Sequence, residues 1–367
     1  MIRLSKSCLS AAESSAVLNV LDDEYLGMGS YVRTFEHELS AFFDRTTLCV
    51  SSGTAALHLA LQALSLKPGD EVLVPSLTYV ATFQAVTASG ATPIACDIDP
   101  ATLQIDLRDA ALRISSRTKV ILPVHYAGSA SSLPSIYSFA DINGLRVVED
   151  AAHAFGSFSH NQKVGSIGDI VCFSFDGIKN ITSGEGGCIV TTDPEILQRV
   201  SDDRLLGVQN DSIKRYSGQR SWDFDVSSQG WRYHMSNINA AIGSSQLKRL
   251  SDFKLIKKHL STHYLSLLSD VSGLTTFPLY LSDIIPHIFV VLLDFSVDRF
   301  QLRDYLLSKD IQTGIHYPPN HLLSRFKTPY RLPHTESLFP RLLSLPFHCD
   351  MSLSDVEMVV SALKSFL

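Results

Sequence analysis

The sequence predicts an α/β protein with a mostly parallel central sheet, flanked by helices, and a smaller C-terminal α+β domain. Three observations lead to this prediction. Short apolar, strand-like runs alternate with helical segments over the first 200 residues. Glycine, serine and acidic residues follow several of these runs, where a strand would turn into the next element. Beyond residue 200 the alternation stops and the pattern changes. Alternating strands and helices are typical of a parallel sheet that is covered on both faces.

The first elements follow from apolar spacing and from turn residues. Residues 10–22 and 31–43 have apolar positions at helical spacing, and the second of these helices is clearly amphipathic. A strand at 48–50 then leads through a turn into a helix rich in alanine and leucine at 54–64. Ser52 is the predicted N-cap of that helix because its hydroxyl can accept from a free backbone amide.

Further strands are predicted at 71–75, 92–97, 120–124, 146–150, 170–175 and 188–192. Helical segments lie between several of them, at 78–89, 107–114 and 132–143. In sheets of this kind ligands bind beyond the C-terminal ends of the strands. Ser52, Asp150 and Ser174 all fall at or just after such ends, so we expect a site there. The order of the strands in the sheet is left open.

The C-terminal part has a different character. Residues 207–234 are polar and irregular, and a long helix is predicted from Asn237 towards Leu267. Residues 285–367 form a smaller α+β region, with a strand at 288–295 and helices at 300–309 and 352–366. We place a domain boundary within the long helix, which gives a large domain at 1–246 and a small domain at 247–367.

Length and composition restrict the class of protein. A chain of 367 residues accommodates two domains, and 45% hydrophobic with 19% charged residues suits a well-packed soluble protein. The net charge of −6 implies no basic face for nucleic acid. The six cysteines lack CxxC or metal-ligand spacing, which indicates free thiols in a reducing compartment, the cytoplasm, and no metal site. Neither a signal peptide nor a membrane span is predicted.

The most informative segment is the glycine-rich loop at 176–187, which lies between two predicted strands and contains a lone lysine, Lys179. A lysine between strands is usually a solvated loop residue. The apolar run before this loop indicates burial, and its glycines allow close backbone approach to a bound group. A lysine held in such a site can lose its proton and form a Schiff base with a carbonyl compound.

Two other strand ends carry groups that could join this site. Gly53, Thr54 and Ala55 open a helix, whose free amides and dipole suit a phosphate, although an ordinary N-cap would look the same. Asp150 ends an apolar strand, where a buried acid needs a partner. That partner could be a protonated ring nitrogen of a cofactor or a structural salt bridge.

Tyr79 and Ser174 are two further candidate residues of this site. Tyr79 could stack on an aromatic ring or fill the core, and the hydroxyl of Ser174 could bind phosphate or cap a turn. A reactive lysine, a carboxylate, an aromatic face and a phosphate cup are together what pyridoxal 5′-phosphate (PLP) requires.

These segments together resemble the DegT/DnrJ/EryC1/StrS family of sugar aminotransferases, which have the aspartate-aminotransferase fold (fold type I of PLP enzymes). The resemblance covers nearly the whole chain in the family's order. It is carried by Ser52–Leu61, Pro68–Val72, Glu149–His153, Phe173–Gly187, Gly230–Gly243, Ile315–Pro318 and Leu345–Pro346.

The resemblance implies roles for residues around the cofactor ring. Lys179 would bond to the cofactor and then move the proton between the substrate carbon and the cofactor. Asp150 would pair with the pyridinium nitrogen. His153 occupies the family's Gln or His position near the phenolic oxygen, and Tyr79 the position of an aromatic residue over the ring.

It also implies roles at the phosphate and at the substrate. Gly53, Thr54, Ala55 and Ser174 would bind the phosphate. Arg232 falls where many members have Asn, and some Lys, reaching the phosphate from the second subunit.

His316 and Tyr317 match a segment that the family uses near the sugar, with His316 also acting across the dimer. The active site would then exist only in a homodimer with shared sites.

The expected reaction is therefore transfer of an amino group from an amino acid, with L-glutamate as the expected donor, to a nucleotide-linked 3- or 4-keto sugar. Its product would be an amino sugar for a polysaccharide such as lipopolysaccharide. One alternative is a PLP-dependent nucleotide-sugar dehydratase of the same family, but those relatives have His where Lys179 stands. Another is a non-catalytic regulatory protein that keeps the cofactor fold. The nucleotide, the hexose and the aminated carbon are left open.

Overall fold

The computed structural model describes residues 1–220, 222–278, 281 and 283–367. Nine strands lie in its N-terminal part: β1 (Thr47–Val50), β2 (Glu71–Pro75), β3 (Thr92–Cys96), β4 (Thr118–Ile121), β5 (Arg146–Asp150), β6 (Phe158–Ser159), β7 (Gln162–Lys163), β8 (Ile170–Ser174) and β9 (Gly187–Thr191). β6 and β7 form a small hairpin. The other seven form one sheet in the order β1-β9-β8-β5-β4-β2-β3. β9 runs antiparallel to β1 and β8, and the remaining neighbours are parallel. The predicted fold class is confirmed.

Helices cover both faces of this sheet: α1 (Ala11–Asp22), α2 (Ser30–Phe43), α3 (Gly53–Ala63), α4 (Val80–Ala88), α5 (Leu107–Arg113), α6 (Leu133–Asn143), α7 (Pro194–Asp203), α8 (Asp211–Tyr216) and α9 (Asn237–Lys248). Side chains alternate between the faces along each strand. In β2, Val72 and Val74 join one apolar cluster together with α3 and α4. Leu73, between them, joins another together with Ile136 of α6.

A smaller three-stranded antiparallel sheet follows, made of β10 (Leu274–Thr276), β11 (Phe289–Leu293) and β12 (Leu342–Leu345). Four helices accompany it: α10 (Leu250–Leu268), α11 (Arg299–Ser308), α12 (Pro333–Leu338) and α13 (Leu353–Phe366). Side chains of α10, α11 and α13 share one apolar cluster with these strands. This sheet and its helices match the predicted α+β region.

The prediction of a single helix from Asn237 towards Leu267 is wrong, because the helix is interrupted at Arg249. The backbone of Arg249 has φ −98° and ψ 1°, outside the α-helical region, and separates α9 from α10. Its guanidinium reaches the buried carboxylate of Glu13 in α1 at 2.7 Å. The predicted boundary near residue 247 thus lies beside a real break, and we keep the two-domain division as a proposal.

Local chemistry explains several helix starts. Ser52 accepts from the amide of Ala55 at 3.0 Å, as its predicted N-cap role requires. Ser352 forms a reciprocal capping box with Asp355. All six cysteines, which lie within the described residues, are free thiols as predicted. None of the helices in the described part combines the length and apolarity needed to cross a bilayer.

Candidate active site

A cavity of about 420 Å³ opens where β5 and β8 end and α3 and α4 begin. Nine of the predicted site residues line it: Gly53, Thr54, Tyr79, Asp150, His153, Ser174, Lys179, His316 and Tyr317. The parallel strands bring these ends together although the residues are far apart in sequence. Ala55 and Arg232 do not line the cavity.

Lys179 lies in the loop after β8, half-buried in the cavity wall. A turn closed by its own amide, which donates to the carbonyl of Asp176 at 3.0 Å, places it there. Burial lowers the pKa of its ammonium, and the negative charges of Asp150 and Asp176 oppose that shift only in part. A lowered pKa favours the neutral, nucleophilic amine.

Asp150 is buried at the end of β5, and the described groups that donate hydrogen bonds to it are neutral. Thr82 donates to Oδ2 at 2.8 Å, and the amide of Ala152 donates to Oδ1 at 3.2 Å. Burial raises the pKa of this carboxyl group. It forms no salt bridge with any described residue. The structural salt bridge that the sequence left open is therefore not what holds Asp150.

Aromatic and imidazole rings form one wall of the cavity. Nδ1 of His153 accepts from the amide of Ala127 at 3.3 Å, which leaves Nε2 to donate to the hydroxyl of Tyr317 at 2.9 Å. The ring of Tyr317 lies 5.4 Å from that of Tyr79, whose side chain is 58% exposed towards the opening. Tyr79 therefore does not fill the core, and its ring is available for stacking.

The start of α3 meets the end of β8 to form a polar cup. Gly53 packs so closely that an added Cβ would lie 2.7 Å from Cβ of Ser174. The absence of a side chain at Gly53 therefore lets the helix amides approach the Ser174 hydroxyl. The amide of Ala55 is already bonded to Ser52, so that part of the predicted cup has a partner inside the chain.

His316 lines the cavity of its own chain, which differs from the expectation that it acts across a dimer. Its Nδ1 is 2.7 Å from the hydroxyl of Ser344, and Gly314 bridges to the same residue through its backbone. These bonds tie the segment to the adjacent β12 and direct it inward. The path of the chain, which the sequence does not reveal, determines this placement.

Arg232 is exposed and lies outside the cavity wall. It bridges to Leu205 through its backbone and forms no salt bridge within the described part of the chain. Among the residues that the structure describes, the cavity wall offers three acids and, apart from Lys179, no lysine or arginine. The acids are Asp150, Asp176 and Glu185.

Two residues that contact Asp150 and Lys179 were not predicted from sequence. Thr82, on the first turn of α4, could have been found from its spacing of three residues after Tyr79. His287, in contrast, gave no local signal. It lies 108 residues from Lys179 in sequence, yet its Nε2 is 3.5 Å from the Lys179 Nζ.

The residues present fit PLP. Asp150, a buried carboxylate without a salt bridge to any described residue, suits a protonated ring nitrogen, and the cup at Gly53 and Ser174 offers donors to a phosphate. Lys179 supplies an amine with a lowered pKa between them. When bound, this cofactor supplies an electron sink for the substrate carbon that loses its proton.

The sequence model of the DegT/DnrJ/EryC1/StrS aminotransferase family matches residues 7–364. Among curated proteins, the chain is 36% identical over 366 residues to dTDP-4-dehydro-2,3,6-trideoxy-D-glucose 4-aminotransferase of Saccharopolyspora spinosa. That alignment covers 97% of this chain and 94% of the relative.

Solved structures of aminotransferases are also similar to this chain. The aminotransferase TlmJ of Streptoalloteichus hindustanus superposes with a TM-score of 0.92 at 32% identity, covering 100% of this chain and 98% of the other. Spr1654 of Streptococcus pneumoniae, in its PLP form, gives a TM-score of 0.92 at 26% identity, with 99% and 98% covered.

Proposed function

Since the chain belongs to the DegT/DnrJ/EryC1/StrS aminotransferase family and is a PLP-dependent sugar aminotransferase, we propose that it transfers an amino group from L-glutamate to a nucleotide-linked keto sugar. The observation that carries this proposal is that one cavity holds both a lysine with a lowered pKa and a buried acid that forms no salt bridge with any described residue. The substrate proposal draws on the Saccharopolyspora relative, whose name specifies a dTDP-linked 4-keto sugar.

Each side chain of the site has a separate role in the proposed reaction. Lys179 takes a proton from the donor's α-carbon and returns one to the new amine-bearing carbon of the sugar. Asp150 keeps a negative charge opposite the ring nitrogen, held in place by Thr82 and the Ala152 amide. Gly53 and Ser174 orient the phosphate. Each of these groups is positioned before substrate arrives, which lowers the entropic cost of reaching the reactive geometry.

The charges in the cavity support a homodimer with shared sites. A cofactor phosphate and a nucleotide diphosphate are anionic, but the wall of this chain is lined by Asp150, Asp176 and Glu185. A second positively charged group, in addition to Lys179, therefore has to come from outside this cavity wall. We propose that Arg232 of one subunit serves the site of the other, because it is exposed and unpaired in the described part of its own chain. A guanidinium suits a phosphate because it can donate two parallel hydrogen bonds.

Lys179→Ala tests the function directly. We expect the variant to fold and to hold cofactor without a covalent bond, with turnover lost by a factor of about 10³ or more, because it lacks the amine that both bonds to the cofactor and carries the proton. Borohydride reduction of the wild type followed by peptide mapping should find the cofactor on Lys179. Lys163→Ala, which alters a half-buried lysine outside the cavity, is the control and should retain activity.

The substrates are tested by two half-reactions followed by absorbance. Glutamate should convert the protein to its amine-bearing form, and a panel of nucleotide-linked keto sugars should then restore the original spectrum. Cofactor found on another lysine would refute the assignment of Lys179. Labelled Lys179 without any response to glutamate or keto sugars would instead favour the regulatory alternative.

A further inference from the structure

His287 is a buried imidazole in contact with the reactive lysine that the proposed function leaves without a role. Its side chain is only 3% exposed. Nε2 lies 3.5 Å from the Lys179 Nζ, and the ring centroid lies 4.3 Å from that of His153. It comes from the segment that precedes β11, in the C-terminal part of the chain.

The position of His287 is enforced by its surroundings. Its amide donates to the carbonyl of Ala127 at 3.1 Å. Two residues earlier, the carbonyl of Ile285 accepts from the side-chain amide of Asn180, the neighbour of Lys179, at 3.0 Å. Gly128 permits this approach, since an added Cβ there would lie 2.7 Å from the Ile285 oxygen. Hydrogen bonds and close packing therefore hold the segment of His287 against the segment of Lys179.

The protonation of the ring follows from its neighbours. The titratable groups that face it are Lys179, His153, Lys257 and His316, and none of them is an acid. Burial and these neighbours hold the pKa of His287 well below its usual range. Its Nδ1 is buried and has no hydrogen-bond partner in the described part of the chain. An imidazolium here would be neither paired nor solvated, so the ring stays neutral.

Lys179 becomes protonated when it carries the proton, and a neutral ring can act on this protonated form in one way. A lysine ammonium has three donors and no acceptor, so a hydrogen bond to it requires the lone pair of Nε2. We propose that His287 accepts a hydrogen bond from the Lys179 ammonium and so holds the proton-carrying nitrogen in place during the reaction. This rests on the proposed role of Lys179, but on neither the donor nor the sugar.

The inference assigns His287 an effect on the lysine rather than on the fold alone. A hydrogen bond to the ammonium stabilises the charged form and moderates the effect of burial. Without it, Lys179 should lose its proton at lower pH and sit less firmly in the cavity. His287 would then be a positioning residue of the reaction, supplied by the C-terminal part of the chain.

The test measures the pH at which half of Lys179 is protonated, here called its protonation midpoint, in the full chain freed of cofactor. The chain is labelled with acetic anhydride over a pH series, and peptide mass spectrometry gives the extent of labelling of Lys179 at each pH. His287→Phe keeps a ring against His153 but removes the acceptor. We expect its midpoint to fall by about one pH unit, the low end for a hydrogen bond to a charged group because the contact is long. His287→Gln, whose amide oxygen can accept, should keep a midpoint close to wild type.

His58→Gln is the matched control, because His58 is equally buried, also has a ring nitrogen without a partner, and lies outside the cavity wall. In His58→Gln, the protonation midpoint of Lys179 should equal that in the wild type. If His287→Phe melts far below the wild type, His287→Leu replaces it. The proposal is wrong if the Phe or Leu variant keeps the wild-type midpoint, or if Gln and Phe shift equally. Lack of cofactor on Lys179 in the wild type would instead overturn the proposed function.

Discussion

At the scale of single residues, the site depends on a carboxylate whose burial is not offset by a salt bridge to any described residue. Asp150 is buried with only neutral donors around it, and the pKa of its carboxyl is raised mainly by burial. A raised pKa means that the folded state binds the proton more tightly than the unfolded state. Above the unfolded pKa the ionised group therefore opposes folding. Such a cost is what a cofactor with a protonated ring nitrogen would offset.

Asp150→Asn should accordingly separate activity from stability. The hydroxyls of Thr78 and Thr82 lie 2.9 Å apart and can reverse their donor order, so an amide at position 150 can be accommodated. We expect the cofactor-free variant to melt at or above the wild-type temperature. The glutamate half-reaction should slow by roughly 10²-fold or more because the ring nitrogen loses its counter-charge. Calorimetry and stopped-flow absorbance measure the two effects.

Asp97→Asn is the matched control for this experiment. Asp97 is also buried, but it accepts from the amide and hydroxyl of Thr335 and does not line the cavity. Its loss should lower stability and leave the half-reaction unchanged. A half-reaction of wild-type speed in Asp150→Asn would show that the acid is only structural.

The buried histidines predict a dependence of stability on pH. Burial holds the pKa values of His153 and His287 well below 6.5 and lowers that of His316 to about 4. Below pH 6.5 the unfolded chain therefore takes up protons that the folded chain does not, and stability falls as the pH falls. Each imidazole that stays neutral contributes a slope of about 1.4 kcal/mol per pH unit.

Urea unfolding between pH 7 and pH 5 measures this slope in the cofactor-free protein. His316→Gln removes one of the titrating rings and should make the slope shallower. His37→Gln, at an exposed histidine, should leave it unchanged. Equal slopes in all three proteins would contradict the prediction.

At the scale of elements, the junction of α3 with β8 sets the geometry of the phosphate cup. The helix presents free amides at its start, and the strand delivers Ser174 to the same point. Close approach depends on Gly53, whose missing side chain leaves just enough room. The same helix packs along its length against the sheet, so its start cannot move freely away from the strand.

Gly53→Ala should therefore weaken cofactor binding more than it weakens the fold. The added Cβ has to push α3 away from Ser174, at a cost of about 1–3 kcal/mol for overpacking. If most of this free energy is lost from the contacts with the phosphate, the affinity for the cofactor drops by about tenfold or more. Titration with cofactor and thermal melting measure the two effects.

Gly27→Ala is the control, because an added Cβ there meets nothing within 4 Å. It should bind cofactor as tightly as the wild type. An unchanged affinity in Gly53→Ala would mean that the cup is not the phosphate site.

At the scale of the whole molecule, two sheets contribute to one cavity. The seven-stranded sheet supplies the strand ends, and the chain around the three-stranded sheet supplies His287, His316 and Tyr317. Under the proposal of a shared site, the further positive charge for a phosphate comes from Arg232 of the partner subunit. Arg232 lies in a segment with two tryptophans, and Trp and Arg are enriched at interfaces.

Complementation tests the shared site. A Lys179→Ala chain mixed with an Arg232→Ala chain should form heterodimers with one site free of both changes. Random exchange should then restore about a quarter of the wild-type activity. Each parent alone should remain far below that level.

The matched control mixes Lys179→Ala with Asp150→Asn, two changes in the wall of the same cavity. Their heterodimer contains no intact site, so the mixture should recover nothing. Mass spectrometry of differently tagged chains verifies exchange. If exchange occurs and the Arg232 mixture also recovers nothing, Arg232 serves its own chain.

The sequence by itself determined the fold class, the main strands and helices, and the central pair Lys179 and Asp150. These follow from local patterns: the alternation of apolar runs, the glycines of a loop and an acid at a strand end, each readable within a few residues. The N-cap at Ser52 is predictable for the same reason, because a cap bonds to amides two or three residues away.

Only the tertiary structure decided the partners that come from distant segments. The contact of His287 with Lys179 spans 108 residues, and the contact of Thr82 with Asp150 spans 68. At the helix break, the contact of Arg249 with Glu13 likewise spans 236 residues. Such contacts depend on the order of strands and on the path of loops. A periodic pattern reports which face of an element is buried, but not which element covers that face.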